Sequence, residues 1–241
     1  MPITPAHAAA AWPIHRAAKR LPLAALVVGT FAPDLEYVPR LQPVGKFGHT
    51  PAGLVVFCLP ATLVVFWVWR TLVRPALTPL LPAGIRTAAE APPPGRRSDL
   101  WPLAIVAALL GAATHIFWDG FTHLNGWGVA LFPVLLEPAP GVGMQWFYLA
   151  QYASSVVGVM VIAAWIFVTL RRFPPEARRF APGQLARLVR VVLFIAAAAL
   201  AAAAANASIS GSWILALGRA AVGFELGLAV GLVAYAVHVR R

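Results

Sequence analysis

Five stretches of this chain are long and apolar enough to cross about 30 Å of hydrocarbon, which leaves little choice of secondary structure. They run near Pro51–Val73, Trp101–Phe121, Phe147–Leu170, Leu188–Ala205 and Trp213–Val237. In lipid every backbone amide must find its partner within the protein, so a lone apolar span of this length is helical. Of the 241 residues 60% are hydrophobic and only 11% charged, where soluble domains carry about 25% charged residues. The expected fold is all-α, a polytopic membrane helix bundle of five full spans plus a short N-terminal helical element. Residues 1–241 read as one integral membrane domain. Within it, 1–50 is an N-terminal segment carrying motifs and 51–241 the bundle, interrupted by a mobile polar loop at 75–99 that contains Pro92-Pro93-Pro94-Gly95.

Local signals refine the outline. Thr50-Pro51 is an N-cap followed by proline at the first helical position, so the first span starts just after His49. Leu21–Ala32 is apolar but covers too little length to cross alone; it reads as a re-entrant or interfacial helix, or one arm of a hairpin with Thr4–Lys19. No small-residue cleavage site follows a basic start, so the first span is expected to act as the insertion signal. The lone Cys58 sits in an apolar run and reads as a packing thiol. Asn206-Ala-Ser208 matches a glycosylation acceptor, a weak signal standing alone. Gly223, Gly227 and Gly231 form a smooth stripe for close helix contact, within the chain or between two copies in a homo-oligomer.

Net charge of +11 raises the question of nucleic acid, but the basic residues fall in short runs between apolar segments rather than among stacking aromatics. Nucleic acid is therefore not an expected partner; membrane lipid is. Arg74, Arg86, Arg96 and Arg97 lie in one loop, and Arg171, Arg172, Arg178, Arg179 and Arg187 in another, while Gly120–Trp146 has no Lys or Arg. The positive-inside rule places the arginine loops in the cytoplasm and Gly120–Trp146 outside.

His115, Asp119 and His123 stand four residues apart and share one face of a helix. A carboxylate in such a span costs about 3 kcal/mol on insertion scales, which marks it as a functional candidate, and two imidazoles at ligand spacing suggest a metal. His7, Asp34 and His49 add imidazole and carboxylate on the same predicted side. Imidazole with carboxylate suits a divalent metal, zinc foremost, with iron or manganese as alternatives. The plain alternative is an intrahelical His115–Asp119 pair within a buried polar seam.

The order His7, Pro33-Asp34, Gly48-His49-Thr50 and His115-x-x-x-Asp119 resembles the integral-membrane relatives of bacterial membrane-bound metal-dependent hydrolases. The opening Met1-Pro-Ile-Thr-Pro-Ala-His7 and Leu26-Val-Val-Gly-Thr-Phe-Ala-Pro-Asp34-Leu-Glu-Tyr37 is closer to an uncharacterised bacterial membrane family of unknown function. More distantly the order is similar to zinc-dependent phospholipase C, although the later His-x-x-x-Glu ligand pair and an N-terminal tryptophan are absent. The resemblance implies Asp34, His49, His115 and Asp119 around one metal, with His7 and a bridging Asp119 on a second.

The expected function is an integral-membrane metal-dependent hydrolase of a phosphoester or lipid-like substrate at the outer face, with Asp34 or Asp119 as ligand and base. A transporter or stress-related membrane factor using the cluster as an ion or proton relay is the alternative. A haem carrier comes third, because interleaved carboxylates do not suit axial ligation.

Overall fold

The computed structural model describes residues 4–91 and 99–240. Met1–Ile3, Pro92–Gly95, Arg96 and Arg97, all used above, lie outside them. A 3₁₀ segment, Thr4–Ala10, runs into α1 (Ala11–Ala17); α2 (Leu23–Phe31) follows and continues as 3₁₀ over Ala32–Tyr37. The first long helix is α3 (Pro51–Leu80), followed by α4 (Ala83–Glu90) and α5 (Leu100–Thr122). A short α6 (Trp127–Leu131) precedes α7 (Trp146–Arg171), and α8 (Gln184–Ala207) and α9 (Trp213–His238) complete the chain. Among the described residues the fold is all-α, and five helices are long and apolar enough to cross a membrane. Their surfaces carry Val55, Val56, Val64, Val156, Met160, Phe167 and Leu193 fully outward, an apolar exterior that water would penalise and lipid would not.

Three details of the sequence outline change. The first span does not stop at Val73 but runs on to Leu80, and Ala83–Glu90 is helical, so most of the expected polar loop is structured. α3 widens into π turns at Leu54–Cys58 and Trp69–Val73. Pro60 and Pro75 follow each turn by two residues and lack the N–H that a regular ladder needs, so the widened turn absorbs the missing bond. The N-terminal element is also richer than one helix. At nine residues α2 covers about 14 Å, under half the hydrocarbon thickness, and it is buried against the 3₁₀ segment, α1 and α5 rather than crossing alone.

The chain divides into two compact units. One comprises Met1–Leu35, Lys46–Leu63 and Pro93–Thr169 and holds α1, α2, the start of α3, α5, α6 and nearly all of α7. The other comprises Glu36–Gly45, Val64–Pro92 and Leu170–Arg241. In the second unit α8 and α9 pack along each other, and the Gly223, Gly227 and Gly231 stripe is the reason: Cβ atoms there would lie 2.5 Å from the Ala202 carbonyl oxygen, 2.6 Å from that of Ala198 and 3.3 Å from Ile195. That glycine face is taken up within the chain. Asn206 is buried and donates to the Leu41 and Arg219 carbonyls, so in the folded chain its amide is committed to packing and not offered as a glycan acceptor.

Candidate metal centre

Every candidate residue lies in the first unit, and small side chains explain how they meet. A Cβ on Gly29 of α2 would sit 2.6 Å from the Ala108 carbonyl oxygen, and one on Gly111 of α5 would sit 2.4 Å from that of Leu26. Only glycine admits this approach of the two backbones. It delivers the Thr30 carbonyl to His115, whose Nδ1 lies 2.8 Å away. A carbonyl only accepts, so Nδ1 carries the proton and Nε2 of the neutral ring presents its lone pair to the centre. His7 arrives by the same device: Ala6 packs on Gly158 of α7, where a Cβ would meet its carbonyl at 2.7 Å, and the His7 ring then stacks on His115 with centroids 3.9 Å apart.

Asp34 lies in the first turn of the 3₁₀ segment that continues α2, and Thr4 donates to its Oδ2 at 2.7 Å. His49 sits on the loop before α3. Thr50 caps that helix, its Oγ1 accepting from the Gly53 N–H at 2.9 Å while donating to the Phe47 carbonyl. One turn further, inside the first π turn, the Cys58 thiol lies 3.3 Å from the Gly48 carbonyl and donates to it. Cys58 thus secures the histidine loop rather than merely filling space.

The donor atoms converge closely. Asp119 Oδ2 is 3.1 Å from His115 Nε2 and 3.5 Å from His49 Nε2; Asp34 Oδ1 is 3.5 Å from each of the same two nitrogens. Tetrahedral ligation at about 2.0–2.1 Å separates neighbouring donors by about 3.3 Å, so these four contacts have the lengths of the edges of such a site. Asp119 Oδ1 turns the other way, 3.4 Å from His7 Nε2 and 3.6 Å from His123 Nδ1. Two sets of ligand atoms suit a metal ion: His7, His115 and Asp119, and Asp34, His49 and His115. Among the described residues, His115 Nε2 and Asp119 Oδ1 are buried without a hydrogen bond of proper geometry despite these short separations. Buried polar atoms are rarely left so, and a divalent ion could satisfy both.

His123 differs from the others. It ends α5 in extended conformation, and its Nδ1 lies 3.2 Å from the Asp119 backbone oxygen, which commits that nitrogen to donation. Neither set of ligand atoms includes it. Its side chain keeps 32% of its surface open and that of His49 keeps 21%, whereas His115 is sealed, so the centre opens along the His49–His123 side. Burial lowers the basicity of His7, with the neighbouring His115 adding to it, and brings its pKa to about 4. At His49 burial pulls in the same direction, but the Asp119 and Asp34 carboxylates outweigh it and raise the pKa to about 9. His123 is lowered, chiefly by burial.

The structure therefore brings His7, Asp34, His49, His115 and Asp119 together, with His123 at the rim. The sequence reading passed over Thr4, Thr30 and Cys58, which orient Asp34, His115 and His49. A hydroxyl aimed at a distant carboxylate, as at Thr4, or a thiol aimed at a backbone carbonyl, as at Cys58, leaves no periodic trace. The null signal at Thr30 is typical, since the atom used is its carbonyl.

No curated protein and no solved structure matches the chain. A family model described as Domain of unknown function (DUF4184) matches residues 1–237. With nearly its whole length matched, the chain belongs to the family of that domain of unknown function, DUF4184.

Proposed function

We propose that the protein is an integral-membrane metal-dependent hydrolase, holding zinc or a similar divalent ion with Asp34, His49, His115 and Asp119. Its substrate is a phosphoester or lipid-like molecule at the outer face of the bacterial cytoplasmic membrane. The observation that carries this reading is the pair of carboxylates set among imidazole nitrogens at 3.1–3.5 Å, with backbone and hydroxyl partners that fix their orientation. When bound, a divalent ion supplies Lewis acidity toward a phosphoryl or carbonyl oxygen and makes water more acidic. Thr4 and the Thr30 carbonyl aim Asp34 and His115. Asp119 Oδ1 faces His7 Nε2 and His123 Nδ1 and would serve as an acceptor between the buried and the open side. His7 and Asp119 Oδ1 together offer the start of a second metal position.

Elemental analysis of detergent-purified protein tests the reading. Wild type should carry a divalent metal, Asp119→Ala should lose most of it, and His238→Ala should keep it. Loaded wild type should also cleave a chromogenic phosphodiester that Asp119→Ala leaves intact. Metal-free wild type under non-chelating conditions would sink the hydrolase and put an ion or proton relay ahead. The half-open His123 beside the buried Asp119 is what speaks for that second reading.

A further inference from the structure

An apolar cleft of about 330 Å³ adjoins the centre, bounded by the Thr4–Ala10 segment, α5 and α7. Its volume falls at the lower end of the range for small-molecule sites. His7 forms one wall, with its ring against His115 and its Nε2 toward Asp119 on the other side. The remaining lining is Ala, Val, Phe, Trp and Gly apart from Thr114 and Ser154. Both hydroxyls are already spent, Thr114 donating to the Gly111 carbonyl at 2.7 Å and Ser154 to that of Gln151 at 3.0 Å. A sugar or peptide would find no free hydroxyl proton here, whereas a hydrocarbon chain needs none.

Depth gives the cleft a direction. Thr114 lies about 7.5 Å further from the outer end of α5 than Asp119 does, and Ser154 to Val161 occupy the third to fifth turns of α7, which begins at Trp146. From the centre the cleft therefore runs inward along the spans. Its rim residues Phe117, Trp118 and Val157 are exposed on the apolar surface of those spans, so the cleft is open to lipid tails. A carboxylate–imidazole centre loaded with cation attracts an anionic head, and the cleft beside it receives a tail.

We propose that this cleft is the acyl-chain subsite of the centre, and hence that the substrate is a phosphoester-bearing lipid whose chain lies between α5 and α7 with its head at His7 and Asp119. The assignment rests on the hydrolase reading for the head but on the cleft alone for the tail. The two parts fail separately. The test uses full-length protein in nanodiscs of phosphatidylglycerol containing a photoactivatable diazirine on one acyl chain, with labelled peptides mapped after irradiation. Wild type should concentrate label on Thr114–Trp118 and Ser154–Val161. Val161→Trp, which fills the cleft, should cut that labelling several-fold, while Met160→Trp, on the outward face of the same helix, should leave it unchanged. Metal content, measured on the same samples, should be equal in all three. Label spread evenly over the exposed faces, or equally reduced by both substitutions, overturns the subsite even if metal is bound. Cleft-specific labelling of metal-free protein supports the chain site and retires the hydrolase.

Discussion

Asp119 is the residue on which the centre turns, because its two oxygens face different partners. Oδ2 meets His115 and His49, and Oδ1 meets His7 and His123. His49 is the ligand candidate whose proton matters at ordinary pH. Its pKa is raised from 6.5 to about 9 by the two carboxylates, so in metal-free protein it is charged near neutrality. The stability that this pairing contributes is fully present below about 6.5 and is lost as pH rises through about 9. A metal must displace the proton, so uptake should strengthen as pH rises toward 9 and then level off. Competition titration with a zinc indicator dye checks this, and His49→Gln should flatten the dependence while weakening uptake. Uptake independent of pH between 6.5 and 9 in wild type would remove His49 from the ligand set.

At the scale of elements, the site depends on how closely α2 can lie against α5. Gly111→Ala puts a methyl 2.4 Å from the Leu26 carbonyl oxygen and 2.8 Å from the Thr30 nitrogen. The helices must part, which costs about 1–3 kcal/mol of overpacking and carries the Thr30 carbonyl away from His115. Thermal melting in detergent should show the loss of stability, and metal content should fall with it. Gly211→Ala, with open space around it, should change neither. The long spans were legible in the sequence because apolar length is a one-dimensional property, and so was the shared face of His115 and Asp119; His123, expected on the same face, lies one residue past the end of α5 in extended conformation. The spread of His7, Asp34 and His49 over three other segments showed their chemistry; their meeting was an expectation from the shared membrane side and the resemblance, while the close approach that produces it, at Gly29, Gly111 and Gly158, was not legible. The π turns and the helical Ala83–Glu90 were not legible: Pro60 left no mark on a span read as continuous, and Pro75 with the polar residues after it read as a break, while the structure widens a turn or starts a new helix.

For the whole molecule, the direction of the chain through the lipid decides what the centre can reach. His49 precedes α3, His123 follows α5, and α7 starts at Trp146, so all three ends near the centre belong to one side of the membrane. The segment between α5 and α7 has no Lys or Arg and exposes Leu124, Trp127, Leu131, Phe132 and Val134, the side chains of an interfacial collar. The connection from α7 to α8, by contrast, carries Arg172, Arg178 and Arg179 in exposed positions. Moving that many arginines across the bilayer is the disfavoured choice, and this supports the proposed orientation, with the arginine side in the cytoplasm and the centre outside. Reporter fusions after Gly126, Pro175 and Gly211 should read outside, inside and outside, using an alkaline phosphatase that is active only when exported and a fluorescent protein that is active only in the cytoplasm. An inside signal at Gly126 together with an outside signal at Pro175 would invert the chain. The centre would then face the cytoplasm, and a lipid substrate would have to come from the inner leaflet.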